Sequence, residues 1–283
     1  MAEPMGFFTD VTVCIGCKAC EVACKQWNQL PANEGGAPLL SGNSYDNTGT
    51  LDGTTWRHVR FVEDFSEDRE HGRWLMMSDV CKHCVQAGCL EVCPTGAIIR
   101  TEFDTVVIQS EVCNGCRACI PACPFDVIDI NPVNNTAMKC TLCYDRMQAG
   151  MIPACAQACP TDSIMFGPIE QLREQADARL ETLHQQGVDD ASIYGREEML
   201  GGLNAFFLIV GPPEWYGLPE EPRLPSSNSL GGEGFMGTIS AIVMVVLGAI
   251  TFRKLGPMRR RDEANGTRLD DPEFAHEDSP PQA

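Results

Sequence analysis

The chain has 283 residues, a length that suits one compound domain or two small ones. Its 39 acidic residues outnumber its 21 basic residues and give a formal charge of −18, so a phosphate backbone would repel it, which argues against nucleic acid as a partner. The 16 cysteines leave three classes open: a disulfide-rich protein, a zinc protein and an iron–sulfur protein.

The start of the chain bears on the disulfide class. Residues 1–9 lack a basic start followed by an apolar run, so the sequence predicts no secretory signal peptide. Disulfide-rich proteins are mostly short secreted chains with such a signal, so this class is the least favoured of the three.

The cysteines fall into four motifs of four, and none is left over. In chain order the motifs are Cys14, Cys17, Cys20 and Cys24; Cys81, Cys84, Cys89 and Cys93; Cys113, Cys116, Cys119 and Cys123; and Cys140, Cys143, Cys155 and Cys159. The first and third have the C-x2-C-x2-C-x3-C spacing of bacterial ferredoxins, and the other two have wider middle gaps. Four complete motifs favour iron–sulfur clusters far more strongly than a single cysteine pair would.

The ferredoxin spacing has a geometric reason. A cubane has an iron at each of four corners, and a short loop with a thiolate at every third residue can wrap three of them. The fourth cysteine follows a turn and points away, so we predict that it binds a neighbouring cluster. Three thiolates within seven residues would crowd a single zinc ion, which usually takes two separated cysteine pairs. The sequence therefore predicts four [4Fe–4S] clusters.

Short apolar runs flank the motifs and predict the strands of ferredoxin-like units. These runs are residues 11–13, 97–99, 106–108 and 127–130. Residues 31–55 predict an irregular surface insertion, and residues 56–62 and 73–77 predict a hairpin beyond it. The predicted cluster domain covers residues 1–166, with its insertion at residues 28–80.

Residues 167–211 predict a helix and a strand that pack on the cluster domain. Pro168 suits the first turn of a helix, and Gly187 suits its end. The apolar stripe of this helix comprises Ile169, Leu172, Ala176, Leu180 and Leu183. We expect the stripe to face the core, the alternative being a groove for a partner. Residues 203–210 predict a buried strand, and residues 212–234 an extended linker.

The last part of the chain predicts a membrane anchor. Residues 235–252 carry no charge, and at about 1.5 Å per residue a helix of 18 residues nearly crosses a bilayer core of about 30 Å. We predict one transmembrane helix here, the alternative being a buried helix of a soluble protein. Basic residues at 253, 254 and 259–261 follow directly. The positive-inside rule then places the tail, residues 253–283, in the cytoplasm and the cluster domain on the periplasmic side of the cell membrane, carried there by a partner with a signal peptide.

Two segments resemble a known family. Residues 14–28, CIGCKACEVACKQWN, are similar to the first motif of the iron–sulfur (beta) subunits of membrane-bound formate dehydrogenases, and residues 139–146, KCTLCYDR, to the fourth. Residues 214–219, EWYGLP, and the predicted terminal helix also match, so the resemblance runs from about Phe7 to Phe252. It implies an α+β fold of two interleaved bacterial-ferredoxin-like units with insertions, followed by one C-terminal transmembrane helix.

The resemblance also implies how the motifs share clusters, the first pairing with the fourth and the second with the third. Site A would take Cys14, Cys17, Cys20 and Cys159, and site B would take Cys24, Cys140, Cys143 and Cys155. Site C would take Cys81, Cys84, Cys89 and Cys123, and site D would take Cys93, Cys113, Cys116 and Cys119. Some relatives replace one cysteine and hold a three-iron cluster, but here every position is cysteine.

By the same resemblance the chain is a non-catalytic electron-transfer subunit. Its clusters would carry electrons from a catalytic (alpha) subunit with a molybdenum or tungsten bis-pterin to a membrane (gamma) subunit, a cytochrome b or a similar quinone-reducing protein. Two alternatives stay open. One is the iron–sulfur subunit of a dimethyl sulfoxide, polysulfide, thiosulfate or nitrate reductase, and the other is a zinc-stabilised, membrane-anchored interaction protein.

Several basic side chains lie near the cysteines in the sequence. Lys18, Lys82, Arg117 and Lys139 could offset negative cluster charge or could belong to a solvated surface. His83, inside the second motif, could tune a reduction potential or could form an ordinary loop hydrogen bond.

Overall fold

The computed structural model describes residues 3–31, 45–46, 48–67, 70, 72–226 and 239–253. Residues 32–44 of the predicted insertion, 227–234 of the predicted linker, 235–238 of the predicted transmembrane helix and 254–283 of the predicted tail lie outside that part. The chain divides into two compact units, Met1–Ser227 and Asn228–Ala283, and all four cysteine motifs belong to the first.

The described residues of the first unit form strands and short helices. The strands are β1 (Met5–Asp10), β2 (Arg57–Phe65), β3 (Gly72–Val80), β4 (Ile98–Arg100), β5 (Val106–Ile108), β6 (Asp129–Ile130), β7 (Ala137–Met138), β8 (Ile164–Pro168), β9 (Ala191–Tyr194) and β10 (Ala205–Val210). The α-helices are α1 (Ala19–Trp27), α2 (Gly88–Glu91), α3 (Tyr144–Gln148), α4 (Ala154–Gln157) and α5 (Ile169–Gln185). This mixture of helix and strand agrees with the predicted α+β class.

A four-stranded sheet in the order β8-β1-β10-β9 contains the most apolar strand. β10 has the sequence Ala-Phe-Phe-Leu-Ile-Val and is buried at every residue, as the sequence predicted and as a strand covered on both faces requires. β1 pairs parallel with β10 and antiparallel with β8. Helix α5 packs on this sheet, and its buried residues are Ile169, Leu172, Ala176 and Leu183. The predicted stripe therefore faces the core.

The hairpin predicted beyond the insertion is present and is longer than expected. β2 and β3 pair antiparallel over nine residues each, from Arg57 opposite Val80 to Phe65 opposite Gly72. β4 pairs with β5, and β6 pairs with β7, with only two or three residues in each strand. These short pairs connect the cysteine loops and lie close to the runs that the sequence predicted.

Two predictions about local structure are wrong. Residues Val11–Val13 form a 3-10 helix, not a strand, because the Asp10 carboxylate accepts the N–H of Thr12 at 2.8 Å and turns the chain. The predicted linker begins with packed structure, a second 3-10 helix at Pro213–Tyr216. Tyr216 is fully buried, and its hydroxyl donates to the Val210 carbonyl at 2.9 Å, so this segment is fixed to the end of β10.

In the second unit, residues 239–253 are helical and their side chains are exposed. Among the described residues, no helix has both the length and the apolar character that crossing a membrane requires. The transmembrane helix at residues 235–252 stays a prediction, and its first four residues lie outside the described part.

Candidate metal centre

All 16 cysteines lie in the described part of the chain, and each is a free thiol. Eight of them are buried, and only Cys17 and Cys116 are exposed. The structure therefore has no disulfide among its cysteines, and the thiols converge in small sets instead.

The first and third motifs share a backbone conformation that suits an anion. In each, a glycine and the basic residue two positions later are left-handed: Gly16 and Lys18 have φ of 65° and 59°, and Gly115 and Arg117 have φ of 69° and 65°. Left-handed residues at this spacing turn successive N–H groups toward one concave side, where they attract negative charge. Glycine suits the first of these positions because it has no Cβ to oppose a positive φ.

Hydrogen-bond donors reach sulfur atoms in three of the motifs. The backbone N–H of Leu142 donates to Cys140 Sγ at 3.3 Å, and that of Ala137 donates to Cys113 Sγ at 3.4 Å. The Asn28 amide lies 3.6 Å from Cys24 Sγ. Donors directed at sulfur stabilise the thiolate, which is the form that binds iron.

A small cavity lies where the first and fourth motifs meet. Its lining includes the thiols of Cys14, Cys17, Cys20 and Cys159 and the apolar side chains of Ile15, Val59 and Ile164. Burial raises the pKa of the Cys14 thiol, and the nearby Cys159 and Cys17 thiols add to the rise. The four cysteines assigned to site A thus surround one space.

Four thiols around a cavity are the donor set that a [4Fe–4S] cluster takes, one per iron. Among the described residues, no group of three or more His, Cys, Asp and Glu side chains is arranged to hold a single metal ion. A zinc ion draws its thiolates to within about 2.3 Å of one centre, whereas a cubane places a separate iron behind each thiolate and takes a wider set. The residues present therefore fit a cubane.

Site B lies where α1 packs against α4. Burial raises the pKa of the Cys24 thiol, on α1, well above its usual value, and the thiols of Cys140, Cys155 and Cys143 raise it further. Cys20 precedes Cys24 by one helical turn, so one face of α1 serves two neighbouring sites.

The two segments that carry the family resemblance touch each other. The indole N–H of Trp27 donates to the Asp145 carboxylate at 2.9 Å, and the Arg146 guanidinium lies 4.2 Å from the centre of the Trp27 ring. Arg146 also donates to the Ile152 carbonyl at 2.7 Å. These contacts hold the end of the first motif against the fourth, which is the pairing that site B requires.

The thiols assigned to site C also lie near one another. Burial raises the pKa of the Cys84 thiol well above its usual value, and the thiols of Cys81, Cys123 and Cys89 add to the rise. Cys123, the last cysteine of the third motif, is therefore close to the cysteines of the second motif.

Site D shows the reverse exchange. Burial raises the pKa of the Cys119 thiol to about 11, and the thiols of Cys113, Cys116 and Cys93 contribute further. Cys93, the last cysteine of the second motif, is therefore close to the third motif.

Neighbouring sites also have thiols close to one another. Three such pairs join successive sites. In each pair, burial raises the pKa of one thiol, and a thiol of the neighbouring site raises that pKa further. The pairs are Cys20 with Cys155 between sites A and B, Cys140 with Cys81 between sites B and C, and Cys89 with Cys119 between sites C and D. Thiols assigned to sites A and B, to sites B and C, and to sites C and D therefore lie near one another.

The four basic residues singled out in the sequence divide into two kinds. Lys82 and Lys139 are buried, with 1% and 2% of their surface exposed, whereas Lys18 is partly exposed and Arg117 is exposed. Lys139 donates to the carbonyl of Cys140 at 3.1 Å, and Lys82 pairs with the buried carboxylate of Asp79. A solvated surface is therefore the wrong description of Lys82 and Lys139.

Arg57 is also a buried cation, and no motif of the sequence points to it. It lies 24 residues before the nearest motif cysteine, in the segment predicted as an insertion and hairpin. Its guanidinium donates to the Ser78 hydroxyl at 3.0 Å, and that hydroxyl lies 3.2 Å from Cys20 Sγ. Only the pairing of β2 with β3 brings Arg57 and Ser78 together, so no local sequence signal could have revealed the contact.

His83 forms the predicted loop hydrogen bond. The backbone N–H of Val106 donates to His83 Nδ1 at 3.1 Å. Burial lowers the pKa of His83 well below its usual value, so the ring is neutral and its proton resides on Nε2. Whether His83 also tunes a potential stays a prediction.

Comparison with known proteins also indicates iron–sulfur clusters. Two family models match, each described as a 4Fe-4S dicluster domain, over residues 13–97 and residues 72–169. The formate dehydrogenase-O iron-sulfur subunit of Escherichia coli is 37% identical over 275 residues, which cover 93% of this chain and 87% of that protein. The formate dehydrogenase iron-sulfur subunit of Haemophilus influenzae is 39% identical over 78% of this chain and 70% of that protein. The B subunit of the E. coli anaerobic dimethyl sulfoxide reductase is 35% identical over 62% of this chain and 78% of that protein.

Proposed function

The chain belongs to the family of formate dehydrogenase iron–sulfur subunits, and we propose that it carries electrons in a membrane-bound formate dehydrogenase through four [4Fe–4S] clusters. The observation that supports this most strongly is the exchange of fourth cysteines between motifs. Cys159 lines the cavity of the first motif, and Cys24, Cys93 and Cys123 each lie near the motif assigned to them. We therefore propose sites A to D as the ligand sets.

A [4Fe–4S] cluster supplies one-electron oxidation and reduction. The part of this chain is to hold four such groups in sequence and to keep water away from them. Sixteen thiolates provide the ligands, left-handed loops direct N–H groups inward, and burial of eight cysteines excludes solvent. We assign no catalytic step to the chain itself.

The partners follow from the role. A subunit that only transfers electrons needs a donor and an acceptor. We propose a catalytic subunit with a molybdenum or tungsten bis-pterin, which oxidises formate, as the donor. The proposed acceptor is a membrane subunit, a cytochrome b or a similar protein, that reduces quinone.

We propose that residues 235–252 anchor the chain in the cell membrane as a single helix. The helical residues 239–253 support this proposal because their exposed side chains include Ile242, Val243, Met244, Val245 and Leu247. Because basic residues follow the helix, we propose by the positive-inside rule that the C-terminal tail lies in the cytoplasm and the cluster domain outside.

The cofactor proposal is tested by metal analysis of the chain purified anaerobically with its native partners. Four cubanes predict about 16 iron atoms and as many acid-labile sulfides per chain, with cubane signals in electron paramagnetic resonance after reduction. Stoichiometric zinc with little iron would instead support the zinc-stabilised interaction protein.

A second candidate is supported by the similarity to the B subunit of a dimethyl sulfoxide reductase. In such a complex, electrons would run toward the catalytic partner. The same purified complex distinguishes the two candidates: formate should reduce an artificial dye, and dimethyl sulfoxide should not oxidise a reduced dye. The opposite pattern would favour the reductase.

The proposed orientation is tested by protease treatment of intact spheroplasts. The insertion at residues 31–55 should be cleaved from outside, while an epitope tag on the C-terminal tail should be cleaved only after lysis. Protection of the insertion until lysis would place the cluster domain in the cytoplasm and refute the orientation.

A further inference from the structure

Arg57 is a buried cation whose partners in the protein do not neutralise it. Only 1% of its surface is exposed. Its Nη1 donates to the hydroxyl and, at 3.4 Å, to the carbonyl of Ser78, while Nε and Nη2 have no hydrogen-bond partner among the described residues. An unpaired buried charge costs several kcal/mol, so Arg57 needs negative charge from another source.

The surroundings of the guanidinium show where that negative charge lies. One contact is apolar: the guanidinium carbon is 4.7 Å from the centre of the Phe7 ring, which is completely buried. A second contact is with the Ser78 hydroxyl, which lies 3.2 Å from the Sγ atom of Cys20, a proposed ligand of site A. Ser78 can accept from Arg57 and donate to Cys20 at the same time.

The charge of Arg57 acts on two sites at once. Burial lowers the pKa of Arg57, but the thiols of Cys155, Cys20, Cys140 and Cys24 outweigh it and raise that pKa overall. Three of these thiols belong to site B and one, Cys20, belongs to site A. Geometry agrees, because Cys20 of site A and Cys24 of site B both lie on α1, and α1 packs against β2, the strand that begins at Arg57.

We propose that Arg57 is a positioning residue of the electron path, whose fixed charge raises the reduction potentials of the clusters in sites A and B, directly in site B and through Ser78 in site A. This inference rests on the proposed function, because it requires clusters in both sites.

The sign follows from charge. A cubane held by four thiolates is negatively charged, and accepting one electron from its neighbour makes it more so. A fixed cation close by favours the reduced form, and hydrogen bonds to the sulfurs act in the same direction.

The test is a redox titration, monitored by electron paramagnetic resonance, of the full complex carrying Arg57→Met. Loss of the charge should shift the reduction equilibrium of the site B cluster at least tenfold toward the oxidised form, which is about 59 mV for a one-electron couple. The site A cluster should shift in the same direction by less, and the clusters of sites C and D should not move. Arg57→Lys keeps the charge and should shift the site B cluster less than threefold.

The matched control is Arg73→Met, which removes the same group from the same hairpin. Arg73 is 39% exposed at its side chain and pairs with Asp64 and Asp190, so all four potentials should stay unchanged. If the Arg57→Met complex holds four clusters whose reduction potentials are unchanged, the inference is overturned while the proposed function stands. A wild-type complex without iron would overturn the proposed function instead.

A second variant tests the inference if the complex that carries Arg57→Met does not assemble. Ser78→Ala removes one hydroxyl and leaves the charge in place. The site A cluster should then shift toward the oxidised form about threefold or more, with site B nearly unchanged. Unchanged potentials in both sites would overturn the proposed connection from Arg57 to Cys20.

Discussion

The four-stranded sheet and the cysteine loops of the first unit bury very different side chains. In the sheet, Phe8 stacks on Phe206 at 5.3 Å between ring centres, and every residue of β10 is buried. The last three cysteine motifs are joined by strands β4 to β7, which have only two or three residues each, and eight of the 16 cysteines are buried. The sheet is stabilised by apolar burial, whereas the loops bury thiols that have little to gain from each other without metal.

The difference teaches that one polypeptide can use two sources of stability side by side. The sheet needs only its sequence, since aromatic and aliphatic side chains gain free energy wherever they leave water. The loops need a metal, because burial has raised the pKa of many motif thiols and iron binding makes the thiolate favourable. The two regions should therefore respond differently to the same perturbation.

Removing iron should have the largest effect and should be confined to the loops. Chelation under reducing conditions should abolish hydrogen-exchange protection over residues 81–160, while β1, β10 and α5 keep most of theirs. Metal binding can contribute on the order of 10 kcal/mol to the folding of a small metal site. Equal loss of protection in both regions, measured against the iron-loaded chain, would show that the sheet has no stability of its own.

Cys24→Ser should remove one site of the four. About four of the roughly 16 irons should be lost, with the signals of site B, while the site A signals persist. Ala23→Ser, which places the same hydroxyl one residue earlier on α1, should keep every iron. Loss of site A with retention of site B would contradict the proposed exchange of ligands between motifs.

Phe8→Ala should weaken the sheet without removing iron. A completely buried Phe that is truncated to Ala costs about 3–5 kcal/mol of the free energy of unfolding. Urea unfolding followed by circular dichroism would show this loss, with the iron content measured beside it. Phe65→Ala, at a position that is 48% exposed, should cost less than about 0.5 kcal/mol. A Phe8→Ala chain that loses its iron would show that the regions are coupled.

Tyr216→Phe should have the smallest effect. The hydroxyl donates to the Val210 carbonyl at 2.9 Å, and its loss leaves that buried oxygen without this donor, at a cost of about 1–2 kcal/mol. The urea midpoint should fall accordingly. Tyr45→Phe, at an exposed hydroxyl, should leave the urea midpoint nearly unchanged. Equal shifts for the two would mean that residues 213–218 contribute nothing to the stability of the sheet.

The sequence predicted those features that depend on a local pattern. The ferredoxin spacing predicted the motifs, the apolar run at residues 203–210 predicted β10, and the stripe on α5 predicted its buried face. It failed where a single polar contact decides the outcome, as when Asp10 turns residues 11–13 into a 3-10 helix. Arg57 was missed because its role depends on cross-strand register, which no local pattern contains.

The position of β1 has a consequence for how the chain is made. β1 is an inner strand, yet its partners are β8 and β10, about 155 and 198 residues further along the chain. At a synthesis rate of about 5–20 residues per second, β1 leaves the ribosome roughly 10–40 seconds before β10. During that time the sheet cannot close around it. The cysteine loops lie between β1 and β10 in the sequence, so all four motifs leave the ribosome before the sheet that flanks them is complete.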